Sequence, residues 1–136
     1  MSDLQAALSA AASGMRAQTT RMRIASENVA NANSTGEGPG AEPFRRRIPL
    51  LESTTLATGA TGVKVMGAAQ DMSQFRQEYN PSHPAANAEG YVQLPNVDTL
   101  VEMMDLRDAS RAYEANLNMI EAARGMTNRA LDLLRR

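Results

Sequence analysis

Cysteine and tryptophan are absent from this 136-residue chain, histidine occurs once, and the aromatic complement is two phenylalanines and three tyrosines. Without cysteine there are no disulfide staples, no thiolate zinc sites and no thiol nucleophile, and the redox compartment is left open. The formal net charge is −1 and the pI about 5.8. No surplus of cations is available to neutralise a phosphate backbone or an anionic lipid surface. Nucleic acid is therefore not an expected partner. Direct membrane insertion is not expected either, since no run approaches the roughly 20 apolar residues that span a bilayer. Met1-Ser2-Asp3-Leu4-Gln5 has neither a basic n-region nor a continuous apolar stretch, which argues against a cleaved signal peptide and for synthesis as a soluble cytoplasmic protein. Hydrophobic residues make up 43% of the chain, but much of that is alanine and methionine, thin material for a large core. Four aromatics, Phe44, Phe75, Tyr79 and Tyr91, lie in the middle of the chain, where a small compact unit is expected to form around them.

Proline is missing from both ends. All six prolines and seven of the nine glycines lie between Gly36 and Pro95, which divides the chain into an N-terminal arm (residues 1–35), a broken middle (36–95) and a C-terminal arm (96–136). The first arm opens with Ser2 and Gln5 at capping-box spacing. From there Leu4, Leu8, Ala11, Met15, Gln18, Met22, Ala25 and Val29 alternate steps of four and three, the signature of one long amphipathic helix of roughly 42 Å. Gly14 and the pair Thr19-Thr20 weaken it, so its stability must come from packing. Asn28, Asn31 and Asn33 favour caps and turns, and Gly36 closes the segment.

In the second arm Asn96 is the candidate N-cap, and the helix is expected to run to Arg135 and Arg136, roughly 58 Å. At 100° per residue, Leu106, Tyr113, Leu117, Ile120, Leu131 and Leu134 share one side. Together with Leu4, Leu8, Met15, Met22 and Val29 they form the expected intramolecular packing face. Val101, Met104, Ala115, Met119, Ala122, Met126 and Leu133 fall nearly opposite, and Arg107, Arg111, Glu114, Asn118, Glu121, Arg129 and Asp132 run between. Two apolar faces require two sets of partners. One is the first helix folded back; the second is left for another molecule. The expected fold is mainly α: long N- and C-terminal helices packed as an antiparallel, coiled-coil-like pair, with a small middle segment containing a β-hairpin.

In the middle, Pro43 to Leu51, Val63 to Met66 and Met72 to Tyr79 read as short extended pieces, a hairpin or a three-stranded patch, with turns at Gly59 to Gly62 and at Gly67. Thr35 to Ala41 and Asn80 to Gly90 read as loops. No catalytic, cofactor-binding or metal-binding constellation emerges. His83 lacks a ligand partner at helical spacing and reads as a surface-loop residue. Gly36-Glu37-Gly38-Pro39-Gly40 follows a helix and lacks the Lys-Ser/Thr ending of a phosphate loop. Arg45-Arg46-Arg47 reads as a solvated strand edge. Glu102 and Asp105 read as ordinary surface carboxylates beside Arg107, and the helical methionines as adaptable packing. This pattern is that of a binding or structural element rather than an enzyme.

Particular stretches carry a resemblance. Ala17-Gln18 and Arg21-Met22, followed by Ser26 through Gly36 with Asn28, Ala30, Asn31 and Thr35, resemble the N-terminal signature of the bacterial flagellar rod and hook proteins. Tyr79-Asn80-Pro81-Ser82-His83-Pro84, Gly90-Tyr91-Val92, Pro95-Asn96-Val97, Glu102-Met103-Met104 and Ala109-Ser110-Arg111-Ala112-Tyr113-Glu114-Ala115-Asn116 resemble a short proximal member of the basal-body rod family. The resemblance covers both arms and the approach to the second helix; residues 52–72 match less distinctively, and the loop from Gly36 to Gly40 is more glycine-rich than the family pattern. It implies a structural subunit of the flagellar basal body, exported uncleaved through the flagellar type III apparatus and polymerised in the periplasm into the drive shaft. Its partners would be further copies of itself and other rod proteins, and the paired terminal helices would form the inner layer of the tube. The competing expectation is a cytoplasmic helical adaptor or chaperone-like module that uses the second face on a single partner.

Overall fold

The computed structural model describes residues 2–135. Helix α1 spans Ser2–Ala30 and α2 spans Thr99–Leu134. Between them lie four strands, β1 (Arg47–Thr55), β2 (Thr61–Gln70), β3 (Arg76–Tyr79) and β4 (Tyr91–Leu94). Helix accounts for 49% and strand for 20% of the structure, so the middle segment holds more β structure than expected: two separate antiparallel hairpins, β1 with β2 and β3 with β4.

The ends of α1 follow from local hydrogen bonding. Ser2 is already helical, so it is not the cap that its spacing to Gln5 suggested. Thr19 and Thr20 turn their hydroxyls back onto the carbonyls of Met15 and Arg16, at 3.0 and 3.2 Å, as threonine does within helices. The helix stops at Ala30, six residues before Gly36. The Glu27 carbonyl takes the Asn31 amide at 3.1 Å, a regular helical bond that the Asn31 side chain reinforces at 2.8 Å, but the Ala32 amide turns to the Val29 carbonyl at 3.2 Å and Ser34 Oγ to the Asn31 carbonyl at 2.9 Å. The last turn tightens there and the chain leaves the helix.

The start of α2 also departs from expectation. Asp98, in extended conformation at φ −99° and ψ 110°, is the N-cap and accepts from the Leu100 amide at 3.0 Å. Asn96 is occupied elsewhere: it accepts from the Arg46 amide at 2.8 Å and donates to the Asp71 carbonyl at 2.9 Å. A side chain tying two distant segments together is not free to cap the next helix.

In the first hairpin the ladder from Arg47↔Gln70 to Thr55↔Thr61 shifts register between Leu50 and Leu51. Gly67 lies opposite that shift with φ +124°. It is a β-bulge rather than a turn, and glycine meets the demand for positive φ without a Cβ clash. The β1–β2 turn is closed instead by Leu56, whose amide donates to the Ala60 carbonyl at 2.8 Å, with Gly59 at φ +83°.

Helix α1 is the central element, with α2 packed against it on one side and the β1–β2 hairpin on another. Ser13 Oγ accepts from the Val63 amide at 3.2 Å, and the Asn28 side chain pairs with the backbone of Arg47. The buried apolar residues are mostly alanine: Ala11, Ala17, Ala25, Ala32, Ala109 and Ala123, with Ile24, Val92 and Val97 as the larger members. The core is therefore thin and lies along the helix seam and around α1. The aromatics do not build a central unit of their own. Phe75 packs under Arg45, whose guanidinium carbon lies 4.2 Å from the ring centroid, and Tyr79 meets Tyr91 edge-on at 5.4 Å, with 64% of Tyr79 exposed.

Candidate assembly surface

Helix α2 packs against no element other than α1 among the described residues. Its contact seam repeats every seven residues through Glu102, Ala109, Asn116 and Ala123, flanked by half-buried Leu106, Tyr113, Ile120 and Thr127. Small residues at the seam let the helix axes approach closely. The rest of the helix surface stands free. Val101, Met104, Ala115, Met119, Ala122, Met126 and Leu133 are all exposed, Met104 by 58% and Leu133 by 71%. Leu100 and Met103, which the sequence pattern did not single out, join them at 67% and 57%. The hairpin adds Leu50, Leu51, Val63 and Met66, exposed because only a few β1–β2 residues reach α1.

The expected intramolecular face divides. Leu4, Leu8, Met15, Met22 and Val29 are half-buried beside the alanine seam rather than in it, as are Leu106, Tyr113 and Ile120. Leu117, Leu131 and Leu134 are exposed instead. A helical projection groups residues over a wide arc, whereas an alanine-rich seam contacts its partner over a narrow one. The 36 residues of α2 also outrun the 29 of α1, leaving its last turns without an opposing helix.

A polar clasp holds the chain's middle to this helix pair. Arg45, Arg46 and Arg47 each have specific partners, so the triplet is not a solvated edge. Arg46 Nε donates to Glu102, and its terminal nitrogens reach Asp71 at 3.5 Å and Asp105 at 3.4 Å. The Glu102 side chain is 2% exposed. Its partner is Arg46 from another part of the chain, not the neighbouring Arg107 read from sequence. Burial works against the Arg46 charge, but Glu102, then Asp71 and Asp105, outweigh it and raise its pKa above the ordinary arginine value. Hydrogen bonds from the Ser73 backbone and hydroxyl, with a smaller contribution from Arg46, hold the Asp71 carboxyl below the usual carboxylate range. Arg45 donates to the Asp71 carbonyl at 3.2 Å, and Arg47 pairs with Glu27 at 3.1 Å. These partners lie 20 or more positions away along the chain, which is why the sequence pattern did not reveal them.

No group of three or more His, Asp or Glu side chains poised for a metal occurs among the described residues. His83 is half-buried in the β3–β4 loop, its Nδ1 accepting the Ala85 amide at 3.0 Å. No helix is long and apolar enough to cross a membrane.

Comparison with known proteins shows the family of the chain. The pattern described as "Flagella basal body rod protein" matches residues 8–36, and that described as "Flagellar basal body rod FlgEFG protein C-terminal" matches residues 88–133. The flagellar basal-body rod protein FlgC of Agrobacterium fabrum is 45% identical over 136 residues, covering 99% of this chain and 98% of that protein. FlgC of Bacillus subtilis is 39% identical over 142 residues, at 93% and 95% coverage, and that of Salmonella typhimurium 36% over 124 residues, at 90% and 92%. The chain belongs to the flagellar basal-body rod protein family. It is a FlgC-like structural subunit of the rod and not an enzyme, and the adaptor alternative gives way.

The motif residues of this rod protein have structural roles. Asn28 donates to the Arg47 carbonyl at 2.9 Å and accepts its amide at 3.0 Å, imitating a strand partner. Asn31 and Asn96 act as described above. A Cβ at Gly36 would collide with the Ala41 carbonyl, and one at Gly90, where φ is +89°, would lie 2.8 Å from Tyr79 Cε2. Gly90 therefore seats the Tyr79–Tyr91 pair. Pro95 is buried, and Tyr113 lines a hollow with Ala12, Met15 and Thr19. Asn116 lies against Gly14. Ala30, Pro81, Pro84 and Arg111 are exposed, and Thr35 is half-buried.

Proposed function

We propose that this rod subunit polymerises with copies of itself and with other rod proteins into a helical, torque-transmitting shaft, using Val101, Met104, Ala115, Met119, Ala122, Met126 and Leu133 as a subunit interface. The observation that carries the proposal is the apolar surface along α2 that no other part of the described chain covers. An exposed apolar band of this kind marks a protein–protein contact. Heterologous contacts that do not close on themselves generate helical assemblies, the symmetry a shaft requires.

In this proposal residues 1–35 and 96–136 form one terminal unit, an antiparallel, coiled-coil-like pair, and residues 36–95 form the connecting segment. Gly14, in the first half of α1, meets Asn116 at the middle of α2, while Ala25 and Asn28, further along α1, share a cavity wall with Glu102 and Asp105 near the start of α2. Both placements support opposite helix directions. The subunit reaches its periplasmic place by export through the flagellar type III apparatus without cleavage. An alanine-rich core and the lack of disulfides support passage as an unfolded chain.

Met119→Asp tests the interface. Met119 is 57% exposed, so an aspartate there should change subunit stability by no more than about 0.5 kcal/mol. Buried between subunits without a partner, the same carboxylate is strongly unfavourable. The variant should be exported but should not assemble rods, and cells carrying it should not swim. Normal swimming would refute the assignment of this face.

A further inference from the structure

We infer that Asn116 seated on Gly14, together with Glu102 held by Arg46, locks the two long helices into one axial register. This inference rests on the antiparallel pairing proposed above. The α2 seam carries Glu102, Ala109, Asn116 and Ala123 at intervals of seven. Ala109 and Ala123 are 0% and 3% exposed and chemically identical, so a slip of two heptads would exchange alanine for alanine. An alanine seam provides adhesion without specifying register. The polar members specify it. A buried polar residue at one seam position is an established way for paired helices to reject other alignments.

The fit at Gly14 is close. A Cβ at that position would lie 2.7 Å from Asn116 Nδ2, 3.3 Å from Cγ and 3.4 Å from Oδ1. Only a residue without a side chain leaves this niche open, although glycine weakens a helix interior relative to alanine. Gly14 is the only glycine of α1, so a slipped α2 finds no second niche for Asn116. At the far end of the same ridge, a slip would carry Glu102 away from Arg46 and leave a carboxylate buried without its partner. The two locks stand 14 residues apart on α2, and each adds separately to the cost of a one-heptad slip, so losing either one lets slipped pairs accumulate.

The absence of cysteine makes a direct test practical. Cysteines at Ser26 and Asn128, both exposed, can carry spin labels on the purified full-length chain, and pulsed electron resonance reports their separation. The parent should show a single narrow separation. Asn116→Ala and Gly14→Ala, which evicts the Asn116 amide from its niche, should each add a population displaced by about 10 Å, the axial length of seven helical residues. The double variant Gly14→Ala/Asn116→Ala supplies the decisive signature. With alanine against alanine it should regain the thermal stability that either single variant loses while keeping the displaced population. A residue with a merely structural role would not separate stability from distance in this way. A narrow, unshifted separation in all three variants would overturn the lock while leaving the helix pairing intact. A parent without a defined separation would overturn the pairing itself.

Discussion

Removing Arg46 should damage this subunit more than removing any single exposed apolar residue. Arg46→Ala leaves the Glu102 carboxylate, whose side chain is 2% exposed, in its place without a cation. Breaking a buried ion pair from one side typically costs about 3–5 kcal/mol, because the remaining charge has lost water and gained nothing. The total stability of such domains is about 5–15 kcal/mol, and the thin alanine-rich core places this one toward the low end. The variant should therefore be partly unfolded at ambient temperature, or melt roughly 10 °C or more below the parent. Glu102→Gln should cost less, since it removes the charge, keeps the shape and leaves Arg46 with Asp71 and Asp105. The double variant Arg46→Ala/Glu102→Gln should be more stable than Arg46→Ala alone, because the stranded charge is gone. Urea denaturation followed by circular dichroism gives all four corners of the cycle. If Arg46→Ala lies within about 0.5 kcal/mol of the parent, as an ordinary surface change does, the argument for a buried clasp fails.

Further outcomes follow from the same geometry. The Asp71 carboxyl is held below its ordinary pKa when folded, so its contribution is fully present above the ordinary carboxylate value and is lost as pH falls through the lowered one. Asp71→Asn should reduce the acid-side fall in melting temperature, and an unchanged pH profile would contradict this. Asn28→Ala removes both bonds to the Arg47 backbone at a cost of about 1–3 kcal/mol; amide exchange at Arg47 and Ile48 should accelerate before that of β2. Gly90→Ala must accommodate a positive φ and a contact with Tyr79, costing about 1–3 kcal/mol, and a melt indistinguishable from the parent's would show that the β3–β4 loop can relax.

Two proline-free arms and their helical periodicity were legible because helix formation is local: spacing, propensity and the absence of breakers act within a few residues. The apolar face from Val101 to Leu133 was legible for the same reason, as was the resemblance to rod proteins carried by contiguous motifs. Tertiary structure decided the rest. Asn96 has the right chemistry for a cap, but its side chain is engaged by Arg46 and Asp71, so Asp98 takes that place. Arg46 reads as a surface cation until the fold sets it beside Glu102, 56 positions away. The helix seam is built from Ala11, Gly14, Ala25, Ala109 and Ala123 rather than the larger leucines and methionines of the heptad, because close axial approach favours small residues at the contact and leaves bulky ones at its margins. Periodicity says which residues share a face of one helix. Which residue on that face meets which residue of another element is a property of two chain segments at once, and only their packing determines it.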